Sequence, residues 1–180
     1  VLLTNTFTIL MAIAALALTL IYPFMKRYTH LPQVVLGAAF SWGGLMAFTA
    51  QTGALPAQAW LLYIASLLWT IAFDTQYAMI DREDDLKIGI KSTAILFADG
   101  DIFVIAFLQA FALITLAFCA NYFQLGTLFQ FGLLLAAGFF IYHHTLTWDR
   151  KPEQCYKAFL NNNWVGMAIF IFTVLEFAAR

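Results

Sequence analysis

Six apolar stretches separated by short polar breaks set the rhythm of this chain: Asn5–Tyr22, Val34–Thr49, Trp60–Ile80, Ile102–Ala120, Thr127–Leu146 and Trp164–Ala178. Most approach the ~20 residues that a helix needs to cross a bilayer. A lipid-embedded segment must satisfy its backbone groups internally, which makes a helix the expected form of each. The pattern therefore predicts an all-α, polytopic transmembrane bundle of six spans. The second stretch is short and interrupted by Gly37, Gly43 and Gly44, so it is expected to tilt, kink or pack in the bundle interior. No Gly/Ser linker or low-complexity tract divides the chain, and residues 1–180 read as a single transmembrane domain.

The polar breaks alternate in charge. The first, Pro23–Gln33, carries Lys26, Arg27 and His30, whereas the second, Ala50–Ala59, carries no charge. The third, Asp81–Asp101, holds Arg82, Lys87 and Lys91 with most of the acids; the fourth, Asn121–Gly126, is uncharged; the fifth, Thr147–Asn163, holds Arg150, Lys151 and Lys157. Every Lys and Arg except Arg180 thus falls on one side of the membrane. The bias of Lys and Arg toward the cytoplasm makes that side cytoplasmic. Residues 1 and 180 then face outward, and every candidate reactive loop shares one face.

Composition narrows the picture further. The chain is 63% hydrophobic and only 11% charged, with a mean hydropathy of +0.82, far from the roughly 25% charged residues of a soluble domain. A net charge of −1 excludes a broad basic nucleic-acid surface. Two cysteines, Cys119 at the end of an apolar run and Cys155 in a polar loop, are too few for a disulfide framework and read as free thiols. The start, Val1-Leu2-Leu3-Thr4, has neither Met nor a basic n-region, and is read as a cut in a longer protein.

The chemistry concentrates where the third stretch meets water, in Asp74-Thr75-Gln76-Tyr77-Ala78-Met79-Ile80-Asp81-Arg82-Glu83-Asp84-Asp85. Acids at the mouth of a membrane helix are costly and persist where they pair with a cation or line a wet cavity. At about 100° per residue, Asp74, Asp81 and Asp85 fall within about 40° of one another on a helix. Asp81 and Asp85, four apart, share a face and repel unless a cation lies between them. Mg²⁺ suits such a pair, because it takes one or two carboxylates and completes its shell with water and substrate phosphate. The alternative is a set of ordinary solvated charges paired with Arg82 or Lys87.

Three further segments carry polar groups toward the same face. Lys26-Arg27-Tyr28-Thr29-His30 can recognise phosphate through charge-assisted hydrogen bonds, or can be a plain positive anchor. In Gly89-Ile90-Lys91-Ser92-Thr93-Ala94-Ile95-Leu96-Phe97, Ser92 or Thr93 can cap a short surface helix, with Lys91 at its start able to reach an anion. Asn161-Asn162-Asn163 can cap the last span or face the cavity as a polar network. His143 and His144 read as interfacial or hydrogen-bonded and lie outside the site.

Taken together, Tyr22 through Gln33, Asp74 through Asp85, Gly89 through Phe97 and Lys157 through Asn163 resemble the UbiA family of membrane prenyltransferases, in particular its branch acting on 4-hydroxybenzoate in ubiquinone synthesis. The resemblance covers essentially the whole chain. It implies a nine-helix bundle around a cavity open to lipid, of which this chain resembles helices four to nine. It implies two Asp-rich motifs, the second mapping onto Asp81 and Asp85 with Tyr77 one turn before; the first, of the form Asn-Asp-x-x-Asp, is not in this sequence. The implied reaction transfers a polyprenyl group from polyprenyl diphosphate to the ring carbon ortho to the hydroxyl of 4-hydroxybenzoate, with Mg²⁺ as cofactor, at a bacterial inner membrane.

On that resemblance Asp81 and Asp85 are the metal ligands. Arg27, Lys26 and Lys91 contact diphosphate or the substrate carboxylate, and Asp74 and Tyr77 line the reacting cavity. The chain alone is expected to be inactive, since one side of the metal cluster is missing from it. Other readings are a family member acting on a different aromatic acceptor, a cation- or proton-coupled transporter using Asp74 and Asp81, and a non-catalytic scaffold. A transporter predicts acids near the bilayer midplane beside a broken helix.

Overall fold

The computed structural model describes all 180 residues and contains helix and turn only. The chain forms α1 (Thr6–Tyr28), α2 (Pro32–Thr52), α3 (Ala57–Ile88), a short α4 (Thr93–Phe97), α5 (Asp101–Tyr122), α6 (Thr127–Thr147) and α7 (Pro152–Ala178). Six helical stretches, with α4 and α5 counted as one, are long and apolar enough to cross a membrane, as the hydropathy pattern predicts. α3 is the hub: it packs on α2, α5 and α7, while α6 lies against α5 and α7 and α1 against α2.

The helices outlast the hydrophobic stretches that announce them. α3 continues through Asp81–Ile88, which the hydropathy pattern assigns to a loop, and stops at Gly89, whose φ of +73° is the left-handed turn that glycine adopts freely. Its 32 residues span about 48 Å against about 30 Å of hydrocarbon. A crossing of about 20 residues that starts at Ala57 would be complete near Tyr77 and leave Asp81 and Asp85 on the turns beyond it.

Likewise α7 starts at Pro152, a residue suited to the first helical turn, so Cys155 through Asn163 are helical and not loop. None of the three asparagines caps α7: they lie on its third turn, and Asn162 is buried. Cys155 is fully buried in the core with Ala72, Met79, Ala94 and Ile105, and both cysteines are free. α2 runs unbroken through Gly43 and Gly44.

Without water to drive them together, membrane helices associate through close packing and interhelical hydrogen bonds. α1 shows the second device: only Thr8 is buried on it, yet Thr8 bonds Thr49 at 2.8 Å, Asn5 Nδ2 donates to Thr49 O at 2.6 Å, and Trp42 Nε1 donates to Met11 O at 2.9 Å. α6 and α7 show the first. A Cβ on Gly132 would stand 2.7 Å from Phe172 Cβ and 3.4 Å from Ala168 O, so only glycine lets the two backbones approach this closely. Gly132→Leu is therefore expected to destabilise the bundle by about 1–3 kcal/mol or more through overpacking. Thermal unfolding in detergent checks this, and an unchanged midpoint would refute the close approach.

Candidate functional site

The end of α3 that leaves the membrane meets the C-terminal end of α1, the start of α2 and the segment leading into α4. Four hydrogen bonds fix this junction. Lys91 N donates to Lys26 O at 2.9 Å, Lys91 Nζ reaches Tyr28 O at 3.3 Å, Thr93 N donates to Gln33 Oε1 at 3.1 Å, and the Thr75 and Thr93 hydroxyls meet at 2.7 Å. Ser92 caps α4, accepting from Ile95 N at 3.3 Å, as its position in sequence predicts. Gln33, Thr75, Ser92 and Thr93 are buried, which makes the joint a dry polar seam that pins α4 over the top of α3.

Inside this junction Asp74 is half-buried on α3, with Gln33 beside it and Tyr22 and Lys26 in electrostatic reach. Asp81 is half-buried one turn or two above, and Asp85 is buried, at 7% exposure, with Lys26 and Asp81 in reach. Lys26 thus lies in electrostatic reach of both the lowest and the highest carboxylate of the stripe. Arg27, its neighbour on α1, is exposed and makes no ion pair. Tyr77 is partly exposed and packs its ring 5.0 Å from that of Phe159, which also meets Phe73 at 6.0 Å and Tyr156 at 6.4 Å.

The bases of the acidic segment are spent elsewhere. Lys87 pairs with exposed Asp84 at 2.8 Å, and Arg82 pairs with Asp101 at the start of α5. Asp74, Asp81 and Asp85 take part in no ion pair, and Asp85 Oδ2 is buried with no hydrogen-bond partner. A buried carboxylate oxygen without a partner is expensive, and a cation bound there would satisfy it. No group of three or more acids, histidines or cysteines converges as a self-contained metal site, so a metal here would need ligands from beyond these residues.

Two polar clusters complete the surroundings, the first a network of the kind that Asn161-Asn162-Asn163 offers as the alternative to capping, with partners the sequence does not name. On α7, Asn162 Nδ2 donates to Gln76 Oε1 at 2.9 Å, and its Oδ1 accepts from Trp69 Nε1 at 2.9 Å, tying α7 to α3 one residue from Tyr77. Trp69 stands between two spaces: a cavity of about 250 Å³ that includes Phe40, Ser41, Tyr63 and Leu116, and a groove with Phe73, Phe159 and Asn163. The signal for this cluster is the run Asn161-Asn162-Asn163 together with Gln76 beside Asp74 and Thr75. The second cluster gathers Arg82 and Arg150 on fully buried Asp101, with Arg150 Nη2 at 2.9 Å from Oδ1. That carboxylate also strengthens the hold of Arg150, which lies between α6 and α7, on its proton. His143 and His144 lie apart, in contact with Asn161 at 3.5 Å and Gln109 at 2.9 Å.

The site is thus a carboxylate pair near the end of one long helix, with Lys26 of α1 in electrostatic reach of Asp85 and Lys91 bonded to the backbone of the same α1 end. The sequence profile of the UbiA prenyltransferase family matches residues 1–173. The chain belongs to this family. Over all 180 residues it is 60% identical to the 4-hydroxybenzoate octaprenyltransferase of Ectopseudomonas mendocina (strain ymp) and 57% identical to that of Pseudomonas aeruginosa. In each case it covers 61% of the relative, so the chain spans about three fifths of the length of the curated relatives it matches. Its fold matches the apo structure of a UbiA homolog from Aeropyrum pernix K1 with a TM-score of 0.81 at 24% identity, over 97% of this chain and 66% of that one. A structure of digeranylgeranylglyceryl phosphate synthase matches with a TM-score of 0.74 at 18% identity, over 97% and 63%. The chain is part of a multi-pass membrane protein, in agreement with the six spans read from hydropathy.

Proposed function

We propose that this chain carries the second half of the active site of a Mg²⁺-dependent 4-hydroxybenzoate polyprenyltransferase of ubiquinone synthesis, seated in a bacterial inner membrane with its reactive end in the cytoplasm. The observation that supports this reading best is the unpartnered, buried oxygen of Asp85 beside Asp81, with Lys26 opposite. Residues 1–180 act as one transmembrane unit, and the polyprenyl diphosphate and 4-hydroxybenzoate enter from the α3 mouth.

Asp81 and Asp85 would hold Mg²⁺, which when bound neutralises the diphosphate as it leaves. Lys26 and Lys91 add positive charge on the same side, Lys91 held in place by its bonds to α1, and Arg27 completes the basic rim. Below them Asp74 and Tyr77 line the space where the allylic C–O bond breaks, diphosphate leaves, the ring carbon ortho to the phenol hydroxyl attacks the allylic carbon, and that ring carbon then gives up its proton to a base or solvent. Tyr77, Phe73 and Phe159 wall that space from water, and their faces stabilise a cationic allylic carbon. A transporter reading asks for a break in the helix at the intramembrane acid; α3 runs through Asp74 without one.

Membranes from cells expressing the gene, supplied with 4-hydroxybenzoate and octaprenyl diphosphate, are expected to form the ring-prenylated acid with Mg²⁺ and none with EDTA. Product only with homogentisate or dihydroxynaphthoate would assign the chain to another branch of the family, and no product with any acceptor would refute the enzyme reading.

A further inference from the structure

Arg82 sits next to Asp81 and three residues before Asp85, the spacing at which helical side chains are neighbours. Left to itself it would pair with the carboxylates of the stripe and compete with a cation for them. It does not. Its guanidinium turns toward α5 and pairs with Asp101, whose side chain is fully buried while that of Arg82 keeps 20% of its exposure. Asp101 is built to hold on. Arg150 grips it through Nη2 at 2.9 Å and Nε at 3.1 Å, and the backbone N–H of Ile102 donates to it at 2.7 Å. Arg150 is in turn fixed by its bond to Asp99 O at 2.7 Å, and holds a left-handed backbone with φ of +54°. That conformation is uncommon for a residue with a side chain, and the surrounding bonds maintain it.

We propose that Asp101 is a positioning residue that sequesters Arg82, keeping Asp81 and Asp85 free for the cation. This rests on the prenyltransferase reading above. A clamp of merely structural purpose would join α3, α5 and the α6–α7 turn without regard to the metal. A sequestering clamp makes a different demand: what matters is where the charge of Arg82 goes. Neutralising Asp101 releases Arg82 onto Asp85, and removing Arg82 as well relieves the competition.

The test is a Mg²⁺ titration of the full-length protein purified in detergent with geranyl thiodiphosphate, a non-reacting prenyl diphosphate, followed by the rise in thermal unfolding midpoint and independently by the Mg²⁺ dependence of turnover. Asp101→Asn is expected to raise the half-saturating Mg²⁺ concentration about five-fold, the scale of one partly exposed ion pair. Arg82→Gln is expected to leave it within about two-fold, and the double variant to return to the wild-type value. An unchanged half-saturation in folded Asp101→Asn, or a double variant that stays as weak as the single, would overturn the proposal. If Asp101→Asn does not accumulate, Asp101→Glu and Arg82→Gln decide. Half-saturation near wild type in both upholds the proposal; a several-fold rise in Arg82→Gln overturns it, because Arg82 would then serve the site directly. A wild type that gains no stability from Mg²⁺ would instead refute the underlying assignment of Asp81 and Asp85.

Discussion

Replacing Asp85 with Ala is expected to lower prenyl transfer by at least about a hundred-fold at equal protein level, the loss typical when a group stabilising transition-state charge is removed. Asp81→Ala is expected to fall by a similar factor. The two carboxylates lie one helical turn apart, neither takes part in an ion pair, and Asp85 Oδ2 is buried without a hydrogen-bond partner. Because they act on one cation, the double variant is expected to lose little more than either single, a non-additivity that marks a shared site. Asp84→Ala serves as the control: Asp84 is exposed and pairs with Lys87 at the surface, so its loss is expected to change the rate less than about two-fold. Initial rates in membranes, normalised to immunoblot signal, separate these outcomes. A fall in Asp84→Ala as large as in Asp85→Ala would mean that the segment matters for its net charge and not for its geometry.

The second large effect is on stability. Asn162→Leu removes the amide that joins α7 to α3, stranding the Gln76 carbonyl and the Trp69 indole N–H. Gln76 is fully buried and already has an unpartnered Nε2, so the lesion compounds an existing deficit. An unsatisfied buried polar group costs about 1–3 kcal/mol, and two of them are expected to cost about 2–4 kcal/mol after relaxation. Because Gln76 precedes Tyr77, turnover is expected to suffer beyond the loss of folded protein. Asn162→Gln, which keeps the amide on a longer arm, is expected to recover part of the loss. An unfolding midpoint in Asn162→Leu equal to wild type would show that the network contributes nothing.

These two cases also show what could be read from the chain and what could not. The spans and the shared helix face of the acidic stripe rest on local pattern: runs of apolar residues, and carboxylates at spacings of four and seven. Helix ends were misjudged because hydropathy reports lipid contact and not helicity. α3 keeps its backbone bonds through Asp81–Ile88 in water, and the stop signal was Gly89, visible as a C-terminal glycine. Pro152 was the matching start signal for α7. That Lys26, and not Arg27, lies in electrostatic reach of Asp74 and Asp85 was out of reach, since adjacent residues on a helix differ by about 100° and only the packing of α1 decides which one lies nearer the acids. Asp101 was equally invisible: its partners, Arg82 and Arg150, are 19 and 49 residues away, and only the fold joins them.

In the proposed function Asp81 and Asp85 bind a prenyl diphosphate through Mg²⁺. Isothermal titration of the full-length purified protein with geranyl thiodiphosphate tests it without turnover. Saturable binding that requires Mg²⁺ in the wild type and disappears in Asp85→Ala is the predicted result. Equal affinity with EDTA, or undiminished Mg²⁺-dependent binding in Asp85→Ala, would contradict it.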